Sequence, residues 1–469
     1  MLQFDSSRYC VRTMEVDGQA VTFRAFENIV TVEHPVDPRY QAVSIYVPEA
    51  FYHGETVCGY DLHTAPILFE NNIGGFFPSE PRNPEHEMFG HTSTFFYALL
   101  HGYVIATPGA RGRTNQAADG RFYGKAPAAL IDLKAALRYL WANEGAIPGD
   151  MHHMFSIGTS AGGCFAALTG TYDNQADCEP FLAELGTAPG KEELFAVCCY
   201  CPVADLEHAD AAYEWQFQGI PDYHRMHMEM DEGGRPQFSA EDGVMTPRQI
   251  QLSDELAAAF PAYLNSLGLN APDGSPLALD SDGSGSFRDF LSRKIADAAQ
   301  QALDAGRTVD CPAFTIQDGK VTAVDFPAFM RFITRMKEAP PFDDVTMHSF
   351  ENNLFGESNE EYAHFTAFSY QRSTCPQPTM ASSAVLKLMN PLSYIREGSN
   401  LVPHWRFRQG TNDRDVGFAT VAIIALALQN QGADVDYALT WHENHGGDFD
   451  LPELFRWIDG LCSAELRGQ

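Results

Sequence analysis

The chain has 469 residues, of which 45% are hydrophobic and 20% are charged, a composition typical of a folded globular protein. Its 62 acidic and 31 basic residues give a net charge of −31, which argues against nucleic acid or an anionic membrane surface as a partner. The first residues lack a basic stretch followed by an apolar core, and no apolar run is long enough to span a membrane. We therefore expect no signal peptide, a cytoplasmic location and a small diffusible substrate.

Neither the cysteines nor the acidic loops predict a metal site. Ten cysteines are scattered along the chain, apart from the cluster Cys198, Cys199 and Cys201. That cluster lacks the spacing of zinc ligands and lies in an apolar run, which favours a core strand of buried thiols. The loop at Asp280 resembles half of a calcium-binding loop, but Leu291 stands where a bidentate glutamate is needed. We predict no metal and no cofactor.

The first part of the chain reads as short strands followed by a glycine loop. Alternating apolar residues predict strands over 21–26 and 43–47. A third apolar strand begins near Ala65 and runs into Gly74 and Gly75. In hydrolases with a nucleophile elbow, a glycine loop at this place supplies a backbone N–H to the oxyanion hole, so this diglycine loop is a candidate donor.

A regular alternation of strands and helices follows. The pattern predicts a helix over 95–100, a strand over 102–107 and an amphipathic helix over 127–141. Between the strand and the second helix lies a loop with Arg111 and Arg113, which we interpret as solvated charges outside the site. Strands that alternate with helices indicate βαβ units and a parallel sheet.

The pattern Gly158-Thr159-Ser160-Ala161-Gly162 follows a buried strand and precedes a helix. This context is typical of a nucleophile elbow, a sharp turn that exposes a strained serine at the end of a strand. Only small residues fit at the flanking positions, which explains the two glycines. We predict Ser160 as the nucleophile.

After residue 203 the alternation stops, and turn signals, acidic residues and methionines become frequent. Residues 231–236 and 280–286 read as loops, and a helix over 290–305 ends at Gly306. Since apolar residues remain common, we interpret 204–396 as an inserted lid domain. Residues 1–203 and 397–469 then form the catalytic domain.

Sheet character returns in the last part of the chain. The pattern predicts a strand over 404–408, a buried helix over 417–429, a strand over 435–441 and a closing helix over 451–461. Asp413 and Asp415 follow the first of these strands. His442 and His445 follow the second.

These positions supply the order of catalytic groups found in α/β-hydrolases, namely serine, acid and histidine. A serine hydroxyl is a poor nucleophile until a neutral imidazole takes its proton, and a carboxylate orients that imidazole and stabilises its cation. Ser160, Asp413 and His445 fit these roles, although Asp415 competes with Asp413 and His442 with His445. His445 is preferred because it lies deeper in its loop, whereas His442 stands at a strand end, where a packed histidine is usual.

At this point the chain resembles the bacterial tannases, serine esterases that hydrolyse galloyl esters. The resemblance covers essentially the whole chain and is carried by the segments 72–75, 111–114, 158–163, 206–210, 212–217, 334–337, 351–356, 413–415 and 455–462, together with His445. It implies an α/β-hydrolase fold, a mostly parallel sheet flanked by helices, with a large inserted lid domain.

The resemblance also implies the roles of particular residues. Ser160, Asp413 and His445 match the catalytic triad of the family. Gly75 and Ala161 match its oxyanion-hole donors, and Lys337, Glu351 and Asp415 match residues that recognise the three hydroxyls of the galloyl ring. The pattern alone would give Lys337 and Glu351 as solvated lid charges.

The expected partner is therefore a small phenolic galloyl ester, with no nucleic acid and no membrane. An alternative on the same scaffold is a feruloyl or general aryl esterase. The sequence does not indicate an oligomeric state.

Overall fold

The computed structural model describes residues 2–84, 94–230 and 236–468, so the predicted loop at 231–236 lies outside the described residues except for Pro236. The chain divides into two compact units. The first unit comprises Met1–Cys199, Ser399–His404 and Gly447–Gln469, and the second comprises Tyr200–Gly398 and Trp405–Gly446.

The described residues contain thirteen strands: β1 (Cys10–Val16), β2 (Gln19–Val30), β3 (Ala42–Pro48), β4 (Pro66–Glu70), β5 (Val104–Pro108), β6 (Asp150–Thr159), β7 (Ala196–Tyr200), β8 (Asp222–Met230), β9 (Pro236–Val244), β10 (Phe314–Gln317), β11 (Lys320–Val324), β12 (His404–Gly410) and β13 (Asp434–Thr440).

They also contain thirteen α-helices: α1 (Thr94–Leu100), α2 (Ala128–Ala142), α3 (Ala161–Thr169), α4 (Gln175–Glu184), α5 (Leu206–Gln216), α6 (Pro247–Ser266), α7 (Ser286–Asp304), α8 (Phe326–Ile333), α9 (Phe350–Leu354), α10 (Ala367–Gln371), α11 (Ser383–Met389), α12 (Phe418–Asn430) and α13 (Leu451–Gly468). Short 3₁₀ helices lie at Glu49–His53, Tyr172–Asn174 and Pro391–Ser393.

The first unit is built on a sheet with the strand order β1-β2-β3-β5-β4-β6-β7. The pairs β1–β2, β2–β3 and β3–β5 are antiparallel, whereas β4 pairs in parallel with both β5 and β6. Every residue of β3, β4 and β5 is buried. Strands covered on both faces require largely apolar sequence, and these strands are apolar apart from the buried polar residues Ser44, Glu70 and Thr107.

The helix predicted over 127–141 is confirmed as α2, which begins one residue after Pro127. Its buried cations are paired rather than solvated. Lys134 Nζ lies 2.5 Å and Arg138 Nε lies 2.7 Å from the carboxylate of Glu192, which is itself fully buried. A buried charge is tolerated only when such a partner is present.

The second unit contains two antiparallel hairpins, β8–β9 and β10–β11, and the neighbouring strands β12 and β13. Its longest helix, α6, begins with a capping box in which Thr246 and Gln249 satisfy each other's backbone N–H groups. The predicted helix end at Gly306 is confirmed, since that glycine follows α7 with a left-handed φ of 75°.

The α/β class predicted from the alternation of strands and helices is confirmed. The division into a catalytic domain and a lid at residues 204–396 stays a prediction, because the two units group residues by contact rather than by function. In the part of the chain that the structure describes, no helix is both long and apolar enough to cross a membrane.

Candidate active site

In the first unit, β6 ends at Thr159, α3 begins at Ala161, and Ser160 forms the turn between them. Ser160 has φ 61° and ψ −122°, a conformation that residues with a side chain seldom adopt. The glycines on either side are required by close contacts. A Cβ on Gly158 would lie 2.2 Å from the Gly162 carbonyl oxygen, and a Cβ on Gly162 would lie 2.6 Å from Asn71 Oδ1. The predicted strand, sharp turn and helix are all present.

The glycine loop after β4 is hydrogen-bonded to this turn. The Gly162 N–H donates to the Ile73 carbonyl at 2.8 Å, and the Asn71 side-chain amide donates to the carbonyls of Ile157 and Gly162. Gly75 has a left-handed φ of 53°, so the chain turns sharply at the residue predicted to supply an oxyanion donor. Ala161 is the first residue of α3, and the first N–H groups of a helix have no acceptor within it.

Arg113 contacts the glycine loop, and the interpretation of its side chain as a solvated charge is wrong. It is only 5% exposed, and its Nε–H donates to the Gly75 carbonyl at 2.8 Å. Its guanidinium lies 3.9 Å from the centre of the Phe77 ring. Arg111 is buried as well, and its guanidinium forms an ion pair with Asp132, with 2.8 Å between the closest nitrogen and carboxylate oxygen. Both side chains are therefore structural supports of the loop region.

In the second unit, Asp413 and His445 form a direct pair. His445 Nδ1 lies 3.1 Å and 3.2 Å from the two carboxylate oxygens of Asp413. Asp413 is fully buried and also accepts from Gln409 Nε2 and from the backbone N–H groups of Asp415 and Val416. These donors fix the carboxylate and favour its ionised form. The geometry thus favours Asp413 over Asp415 as the partner of His445.

The competing histidine contacts a different residue. His442 is exposed, has a left-handed φ of 65°, and its Nδ1 lies 3.1 Å from the side-chain amide nitrogen of Asn412. The expectation of a packed strand-end histidine is therefore wrong, and the choice of His445 over His442 as the catalytic histidine stays a prediction.

The two carboxylates near His445 control its pKa. Burial lowers the pKa of His445, but the charges of Asp413 and Asp415 outweigh burial and hold that pKa well above its ordinary value. Asp415 Oδ2 lies 4.0 Å from Nε2, the ring nitrogen opposite the one that Asp413 contacts. An imidazole in this position readily accepts a proton.

Lys337, Glu351 and Asp415 form a charged cluster rather than solvated lid charges. Lys337 Nζ lies 2.5 Å from Asp415 Oδ1 and 4.0 Å from the centre of the Phe342 ring, and Glu351 is only 8% exposed. Burial lowers the pKa of Lys337, but Asp415 and Glu351 raise it to a net value above normal. Burial raises the pKa of Asp415, but Lys337 and His445 outweigh it and lower the pKa to about 2. Lys337 and Asp415 are thus both held as charges although they are largely buried.

Tyr213 and Arg335 position the backbone around Lys337, and sequence reasoning assigned them no role. The buried Tyr213 hydroxyl accepts from the N–H of Lys337 at 3.2 Å and donates to the Arg414 carbonyl at 2.8 Å, between Asp413 and Asp415. Arg335 Nε–H donates to the Lys337 carbonyl at 2.6 Å. Its guanidinium forms a fully buried ion pair with Glu214. These contacts join sequence positions far apart, so no local pattern signals them.

Glu351 is positioned by the first turn of α9. Ser349 and Asn352 form a capping box at its start. The side-chain amide of Asn352 donates to the fully buried carboxylate of Asp343 at 2.7 Å, and His364 Nδ1 lies 2.6 Å from the same carboxylate. The short helix is therefore fastened to a buried polar network rather than left as a mobile surface turn.

The cysteine cluster is only partly a core strand. Cys198 and Cys199 are buried within β7, as predicted, but Cys201 follows the end of the strand with a left-handed φ of 44°. Its thiol donates to the Gly446 carbonyl at 3.2 Å, beside His445. Burial raises the pKa of this thiol, and the charge of Asp413 raises it further.

Comparisons with known proteins cover nearly the whole chain. A sequence family described as BD-FAE matches residues 83–229. No curated protein sequence matches the chain significantly. Among solved structures, tannase from Lactobacillus plantarum is 42% identical with a TM-score of 0.93, and the match covers 98% of this chain and 100% of that one.

Two further structures give the same result. Tannase from Fusobacterium nucleatum is 40% identical with a TM-score of 0.93, over 98% of this chain and 99% of that one. A tannin acyl hydrolase in complex with ethyl gallate is 42% identical with a TM-score of 0.92, again over 98% and 99%. Likeness at this identity and coverage identifies a family and not only a fold.

Proposed function

Because this chain belongs to the bacterial tannase family, whose members are ester hydrolases of the α/β-hydrolase fold, we propose that it hydrolyses galloyl esters. The products are gallic acid and an alcohol, formed through an acyl-serine intermediate. The complex of a 42% identical tannin acyl hydrolase with ethyl gallate supports this substrate class.

The observation that carries the proposal is the charged cluster of Lys337, Glu351 and Asp415. A galloyl ring presents three adjacent hydroxyls, each of which can donate and accept a hydrogen bond. Two carboxylates accept from such hydroxyls and an ammonium donates to them, and bonds to charged groups are the stronger ones. The cluster thus offers one charged partner for each hydroxyl.

The cluster also supports a substrate orientation. Asp415 contacts Lys337 on one side and lies 4.0 Å from His445 Nε2 on the other. The residues that bind the ring are therefore adjacent to the base in the second unit. A bound gallate ester would place its ring hydroxyls on the cluster, with His445 adjacent to Asp415.

In the proposed reaction, neutral His445 takes the hydroxyl proton of Ser160 as the serine oxygen attacks the ester carbonyl. Asp413 fixes the imidazole through Nδ1 and stabilises the imidazolium that forms. The strained turn at Ser160 supports the role of nucleophile, because it presents the hydroxyl at the end of a strand.

The attack converts the carbonyl oxygen into an oxyanion, which the N–H groups of Gly75 and Ala161 stabilise. The intermediate then collapses, the ester C–O bond breaks, and the departing alcohol takes the proton from His445. A water molecule, deprotonated by His445, attacks the acyl-serine in the second half of the reaction and releases gallic acid and free Ser160.

A fluorophosphonate probe, which reacts only with an activated serine, tests the mechanism. The wild type should be labelled at Ser160, and Ser160→Ala should lose both labelling and methyl gallate hydrolysis, with a decrease in kcat on the order of 10⁴ to 10⁶. The control is Ser156→Ala, at a buried serine within β6, and this variant should keep both labelling and hydrolysis. Normal hydrolysis by Ser160→Ala would rule out the acyl-serine route.

A feruloyl or general aryl esterase is separated from a galloyl esterase by an ester panel. Methyl gallate, protocatechuate, ferulate and benzoate differ in the number and placement of ring hydroxyls. Three charged partners match three hydroxyls, so we expect the highest kcat/KM for methyl gallate. A site whose polar groups pair with substrate hydroxyls can reject analogues that lack them by factors of up to roughly 10⁴. A preference for methyl ferulate would favour the alternative.

A further inference from the structure

Cys201 lies against the proposed catalytic pair in a backbone conformation that favours glycine. Its φ of 44° is left-handed, and its side chain is fully buried. Its backbone N–H donates to the Arg408 carbonyl, and its thiol donates to the Gly446 carbonyl at 3.2 Å. Because both its backbone N–H and its thiol are hydrogen-bonded, the position of the Cys201 sulfur is fixed. The mechanism proposed above gives this thiol no role.

The sulfur completes a set of three metal-type donors. The Cys201 sulfur, a carboxylate oxygen of Asp413 and a ring nitrogen of His445 all lie within 4.8 Å of one another. In the described part of the chain, this is the one group of three or more histidine, cysteine and acidic residues with such spacing. Bond lengths of about 2.0–2.3 Å place the donors of a tetrahedral zinc ion roughly 3–4 Å apart, so small side-chain rotations suffice.

We propose that Cys201, Asp413 and His445 form an inhibitory site for a soft divalent cation of the zinc or cadmium type. A thiolate, an imidazole and a carboxylate are donors that zinc accepts in tetrahedral sites, with a water molecule in the fourth position. Magnesium and calcium prefer sets made only of oxygen donors and are not expected here. On binding, the thiol releases its proton to solvent and the sulfur bonds to the metal, and any proton on the ring nitrogen that binds is likewise released to solvent.

Binding of the metal stops the reaction whichever ring nitrogen of His445 it uses. If Nδ1 binds, the hydrogen bond to Asp413 that orients the ring is lost. If Nε2 binds, the lone pair that accepts the serine proton is occupied. The inhibitory half of this inference rests on the proposed function, whereas the binding half does not.

Zinc inhibition provides the first test. With methyl gallate as substrate, Zn²⁺ should inhibit the wild type, and EDTA should restore the activity. Cys201→Ser keeps a hydroxyl donor for Gly446 but removes the sulfur, and it should raise the inhibition constant at least about tenfold, since even the loss of an outer-shell contact costs that much. The matched control is Cys199→Ser, at a buried cysteine within β7, and its inhibition constant for Zn²⁺ should equal that of the wild type. Equal inhibition constants for Cys201→Ser and wild type would overturn the proposal.

Cadmium binding provides a second test that needs no substrate. Calorimetry on Ser160→Ala should show one Cd²⁺ bound per chain, together with the ultraviolet absorption of a cadmium–thiolate bond. Both signals should be lost in Ser160→Ala/Cys201→Ser, and Ser160→Ala/Cys201→Ala repeats the comparison if the serine variant is poorly folded. Unchanged binding in these double variants would show that Cd²⁺ binds elsewhere and would overturn the site.

The two arms separate failure of this inference from failure of the proposed function. If the wild type did not hydrolyse methyl gallate, the galloyl esterase assignment would fail while the calorimetry still decided the metal site. In that case inhibition is read from fluorophosphonate labelling of Ser160. Labelling that zinc did not slow would overturn the inhibitory role.

Discussion

His445 lies between two carboxylates, with Asp413 at Nδ1 and Asp415 Oδ2 4.0 Å from Nε2. The first carboxylate orients the imidazole, and the second both stabilises its protonated form and pairs with Lys337. Burial lowers the pKa of His445, but the two charges raise it well above its ordinary value. A base with a raised pKa stays protonated, and therefore inactive, up to a higher pH. In the proposed mechanism, Asp415 therefore couples substrate recognition to the pH profile.

Asp415→Asn should shift the acid limb of kcat/KM to lower pH. Removal of a negative charge near His445 lowers the pKa of the imidazole, so the neutral base persists to a lower pH. The profile should be measured with methyl benzoate, because its ring has no hydroxyls for Asp415 to bind. An unchanged limb, or a shift to higher pH, would contradict the coupling.

Asp413→Asn serves as the contrasting variant for that experiment. Asp413 holds the ring through Nδ1, and its amide cannot fix the tautomer that the base needs. We expect kcat to decrease about 10⁴-fold, without a shift of the acid limb of kcat/KM along the pH axis. Similar effects of the two variants would mean that the carboxylates are interchangeable, which their different contacts argue against.

Substitutions in the charged cluster should affect gallate esters selectively. Glu351→Gln, Lys337→Ala and Asp415→Asn each remove one proposed charged partner of a ring hydroxyl, and a hydrogen bond to a charged group contributes about 1.5–3 kcal/mol. The ratio of kcat/KM for methyl gallate to that for methyl benzoate should therefore decrease by about 10- to 100-fold in each variant. Glu357→Gln, on an exposed residue of the same segment, is the control and should leave the ratio unchanged. Equal losses on both esters would remove the recognition role.

The turn at Ser160 could be predicted from the sequence, and Asp413 and His445 could be proposed from their order along the chain, whereas the long-range contacts around them could not be predicted. The turn at Ser160 is encoded within a few residues, since its glycines, strand and helix are contiguous. Arg113 reaches Gly75 across 38 positions, Tyr213 reaches Arg414 across 201, and the Cys201 thiol reaches Gly446 across 245. Nothing near an arginine or a cysteine in the sequence indicates which distant carbonyl it will contact, so loop charges were expected to be solvated.

Arg113 should prove to be a positioning residue for the glycine loop. Its Nε–H binds the Gly75 carbonyl, and the plane of its guanidinium packs against Phe77. Arg113→Lys keeps the charge but loses this directional donor, and we expect kcat to decrease by about 10- to 100-fold, because loss of a whole oxyanion donor costs about 10² to 10³. KM should change little if the loop acts on the transition state.

The control for Arg113 is Arg121, an exposed residue whose guanidinium pairs with Asp119. Arg121→Lys should leave kcat and KM unchanged. Fluorophosphonate labelling of Arg113→Lys should slow in proportion to kcat, because the probe also needs the oxyanion donors. A large rise in KM with an unchanged kcat would instead assign Arg113 to ground-state binding.

The buried ion pair of Arg335 and Glu214 should support both stability and specificity. Neither side chain is exposed, and their closest atoms are 2.6 Å apart. Glu214→Gln leaves the guanidinium charge buried without its counterion, and breaking a buried pair in this way costs about 3–5 kcal/mol. The midpoint of urea or thermal unfolding of Glu214→Gln should therefore decrease strongly.

Replacing both members of the pair separates stability from specificity. Glu214→Leu/Arg335→Met removes both buried charges, and an apolar pair of similar volume often restores the stability that a single substitution loses. The double variant still lacks the donor that Arg335 Nε supplies to the Lys337 carbonyl, so Lys337 loses one of its two backbone anchors while Tyr213 retains the other. We expect unfolding midpoints near those of the wild type but a lower ratio of gallate to benzoate turnover. If stability and the substrate ratio both returned to wild-type values, Arg335 would be a packing residue with no part in placing Lys337.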